Sequence, residues 1–348
     1  MRVLLLGPYP PPHGGVETHV VALRRFLLGH EIPCAIINIT RHRKKEADEI
    51  YYPRNAIALI RRLLGLRDDI LHLHVGGMLS RRVLRLGLLC TLLPGKKTVF
   101  TFHSGGYASL PEAKALTSRS LAGLVLRRFD RLIGVNQQIV NFFHQLGVSR
   151  ERTRLIAPHA FFDDEVNNGE LPEALCTFFS DHQPVLISVG QLEPEYDLPR
   201  QIDVMGPVRD KFPNAGLLLL GRGTLENDLR QSIAGKPFAK DILLCGDVAH
   251  ALAQTAIARA DVMLRTTLYD GDAISVREAL HLGTPVVATD NGMRPTGVQL
   301  VEGASVEALL AAVERTLRSS EANAEKKVPL PDESNLEAVL RVYGELLT

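Results

Sequence analysis

The sequence contains no tryptophan, aromatic residues make up only 5% of it, and no apolar run approaches the roughly 20 residues that a membrane-spanning helix requires. Proteins that hold single strands of nucleic acid stack bases on aromatic side chains, so a chain this poor in rings has no platform for a nucleic-acid partner. The N-terminal VLLLG is too short for a secretory apolar segment and runs into prolines, which leads to the expectation of a cytoplasmic protein. Cysteine is also sparse. Cys34, Cys90, Cys176 and Cys245 lie far apart, lack the paired spacing of zinc or disulfide frameworks, and read as small core residues.

What the chain has is a globular composition, 45% hydrophobic and 23% charged, over 348 residues. A prior of about 100 to 200 residues per domain makes that two domains rather than one. The net charge of +1 hides an asymmetry: residues 1–158 hold 24 Lys and Arg against 10 Asp and Glu, and the remainder holds 16 against 29. Opposite halves of this kind report a partner surface. Arg54, Arg61, Arg62 and Arg67, then Arg81, Arg82 and Arg85, punctuate apolar helical stretches. A basic amphipathic face suits an anionic membrane surface, and it equally suits a solvated face that meets the acidic half.

Short apolar runs alternate with helical patterns throughout the first half: RVLLLG, VETHVVALRRFLL, CAIINI, NAIALIRRLLG, DILHLH, a helix over 78–93, TVFTFH, ALTSRSLAGLVLRRF, RLIGV and IVNFFHQLG. This rhythm predicts a parallel sheet with crossover helices. Continuous rather than alternating apolar strands indicate burial on both faces, hence a doubly wound α/β fold. A polar stretch around 158–171 then interrupts the pattern. PVLISVG restarts it, followed by helices near 198–212 and 224–234, strands in AGLLLLG, DILLCG, DVMLR and TPVVAT, and helices over 249–260 and after 272. The expected domains are 1–165 and 166–330, each Rossmann-like. The charged, proline-punctuated SSEANAEKKVPLPDES reads as a loop before a last helix within 331–348, which is expected to pack back on the first domain.

Three places can carry chemistry. After the first strand, PYPPPHGG puts Gly14 and Gly15 just before a helix, where free amides attract phosphate and glycine lets a ligand come close; the same residues also fit an ordinary turn. TVFTFH runs into His103, Ser104, Gly105 and Gly106 at the carboxyl edge of the first sheet, where open α/β sheets bind ligands. A structural histidine is the competing reading. His72 and His74 face one side of a buried strand; their spacing could suit a metal, yet no carboxylate accompanies them, and they read as structural. The most specific stretch is residues 260–292, where strand, glycine-containing loop, helix and strand follow in immediate succession. Asp270 falls in the loop and Glu278 about two turns into the helix, so two carboxylates can serve different parts of one ligand. The amides of Gly271, Asp272, Ala273, Ile274 and Ser275 form the helix start, a cradle for a diphosphate. An acidic capping loop is the plainer alternative.

That stretch resembles the signature of the family 4 glycosyltransferases, in which two acidic residues separated by seven others precede a small-residue helix and G-x-P-V-V-A-T. The resemblance extends to HGGVETHV, FHSG at 102–105, LIAPHAF, SVGQLEPE at 188–195, LLGRG at 219–223 and CGDV at 245–248, and spans about 300 residues. It implies the GT-B fold: two Rossmann-like, doubly wound parallel-sheet domains facing a cleft, with a nucleotide-sugar donor on the second and a glycan or lipid-linked acceptor on the first. It implies further that Gly14 and Gly15 approach the donor phosphates, that His103 meets the donor sugar and that Asp270 binds sugar hydroxyls. Glu278 would hold the ribose, and Val248 would present backbone to the base. The family is metal-independent, needs no cofactor beyond its donor, and retains anomeric configuration.

Where the family usually places an Arg and a Lys after the first strand of the second domain, this chain has Gln191 and Tyr196. Arg222, followed by Gly223, as well as Arg265, Arg277 and Arg294, are the candidates to restore that charge. Asp272 adds a carboxylate near the expected phosphates, where it would repel a donor unless an Arg pairs with it. The expected function is therefore a hexosyltransferase of cell-surface polysaccharide or glycolipid synthesis, cytoplasmic and peripheral at the membrane. A non-catalytic GT-B relative that binds sugar or nucleotide as a scaffold is the alternative, and a nucleotide-sugar 2-epimerase shares the architecture without this loop.

Overall fold

A computed structural model describes residues 1–10, 14–41, 43–158, 171–268, 273–321 and 333–348. The chain divides into two compact units, Met1–Phe161 with Asp332–Thr348, and Phe162–Pro331. In the first unit the strands are β1 (Val3–Gly7), β2 (Cys34–Asn38), β3 (Ile50–Tyr51), β4 (Ile70–Val75), β5 (Lys97–Phe102), β6 (Arg131–Gly134) and β7 (Thr153–Leu155). They form a parallel sheet in the order β3-β2-β1-β4-β5-β6-β7. Residues of one strand alternate between two cores. Leu4 and Leu6 pack with Leu71, Leu73 and Phe100 on one face, while Val3 and Leu5 pack with Ile70 and Val99 on the other. The period of two sends side chains to opposite faces, and both faces are covered, which is why these strands read as unbroken apolar runs.

The second unit repeats the plan with β8 (Val185–Val189), β9 (Gly216–Leu220), β10 (Ile242–Gly246), β11 (Val262–Arg265), β12 (Val286–Thr289) and β13 (Val298–Val301), in the order β10-β9-β8-β11-β12-β13. In both sheets the first strand is central and the winding direction reverses beside it, between β1 and β4 and between β8 and β11. Such reversal points leave a crevice at the carboxyl ends of the strands, where α/β sheets bind ligands.

Some elements differ from expectation for local reasons. The helix expected across ALTSRSLAGLVLRRF is confined to Leu121–Leu126, because the Ser120 hydroxyl caps it by accepting from the Gly123 amide at 3.3 Å. The helix expected over 198–212 is broken at Val204 into Leu198–Asp203 and Met205–Lys211. Strand β13, the two-residue β3 and the helix Glu173–Asp181 escaped the sequence reading. β13 carries Gln299 and is buried only at Val301, so its edge position blurs the apolar run. Cys34 and Cys90 are core residues as expected, but Cys176 is exposed on the helix 173–181, whose buried stripe is Leu175 and Phe178. Residues 159–170 and 322–332, which hold most of the expected linker and late loop, lie outside the described residues.

The last helix, Ser334–Leu347, packs Leu336, Val339, Val342, Tyr343 and Leu346 into the same core as Val3 and Leu5. Its most specific contact is polar. The Tyr343 hydroxyl sits 2.6 Å from His72 Nδ1, and His72 Nε2 sits 2.6 Å from Thr101 Oγ1. A neutral imidazole has one donor and one acceptor nitrogen, so two hydroxyls satisfy it in full. Burial holds His72 well below the usual histidine range, helped by the neighbouring His19 and His103, and it pushes the Tyr343 phenol well up. Tyr343→Phe strands one nitrogen of a fully buried ring and is expected to cost about 1 to 3 kcal/mol. The check is the thermal midpoint of the first unit, expected to fall by several degrees at about 2 to 4 °C per kcal/mol; an unchanged midpoint would mean that the hydroxyl contributes nothing.

Candidate active site

At the carboxyl edge of the first sheet, β1 ends in Gly7 and the helix Gly15–Gly29 begins after Gly14, whose backbone is extended and whose carbonyl accepts from the Thr18 hydroxyl at 3.0 Å. No side chain caps this helix from the N-cap position. A Cβ on Gly14 would lie 2.7 Å from Glu17 Oε2, so the Glu17 carboxyl already stands at this helix end. Burial raises its pKa, opposed by its own backbone amide. A phosphate approaching Gly14 and Gly15 therefore meets a carboxyl that is easier than usual to protonate.

Beside it, three imidazoles gather from three elements. His19 comes from the first helix, His74 from β4 and His103 from the end of β5, whose amide continues the ladder by donating to the Val75 carbonyl at 2.8 Å. His74 Nδ1 and His103 Nε2 are 3.1 Å apart, and the His19 ring centroid lies 5.5 Å from that of His74 and 5.0 Å from that of His103. His19 and His74 are buried, whereas His103 keeps part of its surface to solvent. Burial, with a like-charged neighbouring ring as the second cause, holds His74 and His103 well below the usual histidine range, in the neutral form. His72 is one turn of the pleat away, its centroid 3.9 Å from that of His74, and is saturated by Tyr343 and Thr101.

In the second unit, glycines let three loops meet backbone to backbone. An added Cβ on Gly221, whose φ is +142°, would fall 1.7 Å from the Gly190 carbonyl oxygen, and one on Gly223 would fall 2.3 Å from that of Leu192. Gly221 donates to the Gly246 carbonyl at 2.8 Å, and Leu192 donates to the Arg222 carbonyl at 2.9 Å. The space that a side chain at Gly190 would take is filled by the Tyr196 ring and the Arg265 guanidinium, which stack with the Arg265 carbon 4.6 Å from the ring centroid. Arg265, buried at the end of β11, also donates from Nη1 to the Val189 carbonyl at 3.1 Å. Ser275 donates to the same carbonyl at 3.4 Å. One carbonyl thus ties a buried cation to the first turn of the helix Ile274–His281, whose N-cap residue, Ala273, supplies no capping side chain.

Further along that helix Glu278 is 4% exposed. Its Oε1 lies 2.5 Å from His250 Nε2 and accepts from Gln254 at 3.2 Å, so one carboxylate oxygen is held by the helix His250–Arg259. The sequence reading missed His250 and Gln254. Their spacing of four on one helix face was the available signal. Val248, just ahead of that helix, is half-buried.

Gln191 is exposed, and so is Arg222, whose guanidinium makes no hydrogen bond or ion pair with a described residue. Arg294 is engaged at the sheet edge, donating to the Thr289 carbonyl at 3.0 Å and to the Thr267 hydroxyl at 2.8 Å. The structure thus brings Ala273, Ile274, Ser275 and Arg265 together at one edge, with Glu278 farther along the same helix, and Gly14, Gly15 and His103 at the other sheet's edge. Asp270, Gly271 and Asp272 lie outside the described residues. Gly190→Ala is expected to force Tyr196 off Arg265 and to destabilise the second unit by about 1 to 3 kcal/mol through overpacking. The double variant Gly190→Ala/Tyr196→Ala should recover part of that loss in the thermal midpoint; strictly additive losses would show that the ring does not occupy the space.

Residues 177–327 match the model of the glycosyl transferases group 1, and residues 13–159 match that of Glycosyltransferase Family 4. EpsD of Bacillus subtilis, a protein assigned as a glycosyltransferase, is 25% identical over 263 residues, which cover 69% of this chain but 64% of that relative's length. The chain is similar in structure to HepE of Anabaena, crystallised in complex with UDP and glucose, at 17% identity, a TM-score of 0.64 and coverage of 97% of this chain and 94% of that one. The catalytic domain of starch synthase IV from Arabidopsis thaliana, bound to ADP and acarbose, superposes with a TM-score of 0.72 at 12% identity over 99% of both chains. At these identities the likeness establishes the fold, which is GT-B.

Proposed function

This chain belongs to the family 4 glycosyltransferases, and on that premise we propose that it moves a hexose-type sugar from a nucleoside diphosphate donor to a glycan or lipid-linked acceptor, as in cell-surface polysaccharide or glycolipid synthesis. The observation that carries the reading is the second unit's carboxyl edge, where the Val189 carbonyl joins Arg265 to the start of the helix that bears Glu278. In this reading the diphosphate rests against the amides that begin that helix, Glu278 uses its second oxygen on the ribose, and Val248 presents backbone to the base. Asp270 and His103 take the sugar, as in the family pattern. Similar structures hold UDP and ADP, so sugars of these two nucleotides are the first donors to test.

No side chain in this reading serves as a covalent nucleophile. The acceptor oxygen attacks the anomeric carbon on the face that the diphosphate leaves; the bond from carbon to phosphate oxygen breaks, and that oxygen takes the acceptor's proton. Configuration is retained, and no metal ion takes part. The developing charge on the leaving phosphate then needs fixed cations, and its stabilisation is the largest lever on the rate. Arg265 and Arg222 are proposed to supply what Gln191 and Tyr196 do not.

Arg222 gives the cleaner test because it has no described partner to strand. Arg222→Gln is expected to lower kcat/KM by about 100- to 1,000-fold with an unchanged thermal midpoint, and Glu278→Gln is expected to weaken the thermal shift given by the donor nucleotide. Full activity in both variants would refute the site. Donor binding by the wild type without release of nucleoside diphosphate would favour the scaffold reading, to which the residues at 191 and 196 lend weight.

The acceptor side is proposed to meet an anionic membrane. On the helix Ala56–Gly65 the exposed Ile57, Ile60 and Leu64 form one stripe, with Arg61 beside it and Arg54 and Arg67 at either end. Ile57 and Leu64 are 64% and 63% exposed. Arg81, Arg82 and Arg85 are exposed on the helix Arg81–Leu92. Apolar contact and attraction of about 1 kcal/mol per basic residue near the surface act together there. Among the described residues no helix is long and apolar enough to cross a membrane. The protein should sediment with phosphatidylglycerol vesicles but not with phosphatidylcholine ones, and Ile57→Glu/Leu64→Glu should abolish this; a wild type that stays in the supernatant with both would remove the proposal.

A further inference from the structure

The three imidazoles at the edge of the first sheet do more than the transfer reaction asks of them. Only His103 has a part in it, yet His19 and His74 converge on the same point from a helix and a strand. One nitrogen from each of the three rings lies within 4.8 Å of the other two. In a tetrahedral zinc site, bond lengths of about 2.0 to 2.1 Å place ligand nitrogens about 3.3 Å apart. The His74–His103 pair, at 3.1 Å, already stands at that separation, and a rotation of the His19 side chain, whose nitrogen lies within 4.8 Å of both, would complete the set.

The hydrogen bonding of His74 is also incomplete. His74 Nε2 is buried and finds no hydrogen-bond partner. The nitrogen that faces His103 is Nδ1, and it is there that the three rings converge. The adjacent His72 shows what a purely structural histidine looks like at this depth, with hydroxyls on both nitrogens. The partly exposed His103 leaves a path for an ion to enter.

We propose that His19, His74 and His103 form a binding site for one zinc-type transition-metal dication, with a fourth coordination position open to water. Three neutral imidazoles without a thiolate or carboxylate suit zinc, cobalt, nickel or copper and not magnesium or calcium, which take oxygen ligands. The site includes the imidazole assigned above to the donor sugar, so a bound ion occupies it and inhibits transfer. This second statement rests on the proposed function; the first does not. Catalysis is metal-independent in this scheme, and the metal acts as a brake.

The test uses the full chain stripped of metal by a chelator. Titration with Co²⁺ alone should give the visible absorption of a four-coordinate site, saturating at one ion per chain and displaced by Zn²⁺. His19→Gln and His103→Gln, each checked for an unchanged circular dichroism spectrum, should weaken binding by more than about 100-fold, since even the loss of an outer-shell partner costs 10- to 100-fold. His30→Gln, at the exposed end of the first helix, should bind like the wild type. Absence of the absorption in the wild type, or its survival in both the His19 and the His103 variant, would overturn the site. Stoichiometric binding with no inhibition by Zn²⁺ would support the site and count instead against the role of His103 in transfer.

Discussion

The second unit depends on the close approach of two backbones, the Gly190 carbonyl and the Gly221 α-carbon. No side chain fits between them, and Gly221 holds a φ of +142° that residues with a Cβ avoid. That contact locks the loop after β8 onto the loop after β9, and the Gly221 amide extends the lock to β10 through Gly246. The missing side chain at Gly190 has a second effect, because it opens the space in which Tyr196 and Arg265 stack. A guanidinium buried at the end of a parallel strand carries a desolvation penalty. The aromatic face and the Val189 carbonyl help to offset it, and they hold the cation at the winding reversal of the sheet.

The departures from the family pattern then have a physical reading. Tyr196 stands where a lysine is usual, and in the proposed site the charge at this edge comes from Arg265 instead. It presents its ring to a cation delivered from a different strand. An arginine held this way is less mobile than a lysine on a loop and carries the same charge, with a planar donor set suited to phosphate oxygens. The helix bearing Glu278 is braced to the same carbonyl through Ser275.

Much of this was legible in the sequence, and the limits have physical causes. The inner strands of both sheets followed from unbroken apolar runs, because burial on both faces leaves a signal that no surface helix mimics. The short helix at Leu121 did not, since one capping bond decides its start and periodicity averages that away, whereas the break at Val204 falls where Pro207 has no N–H to give the Asp203 carbonyl. Cys176 was misread for a related reason: its neighbours in sequence are apolar, but on a helix they face a different side. The carboxylate at 278 was singled out by its spacing from Asp270 together with the family resemblance. Its clamp by His250 and Gln254 was not, because those residues lie 28 and 24 positions away and only the packing of two helices brings them to it.

The histidines of β4 show how far pattern reaches and where it stops. The alternation in LHLH requires His72 and His74 to share a face, and they do, with ring centroids 3.9 Å apart. Pattern alone gives both the same role, whereas the two are chemically opposite. His72 lies deeper along the strand, where the last helix brings the Tyr343 hydroxyl and β5 brings that of Thr101, so its hydrogen bonding closes on itself. His74 lies two residues nearer the carboxyl edge, where its described ring neighbours are the imidazoles of His19, His72 and His103. Two positions of rise along a strand separate a ring whose valences the fold has filled from one whose remaining nitrogen the fold leaves unpaired, and chemistry at the edge of an α/β sheet begins where that filling stops.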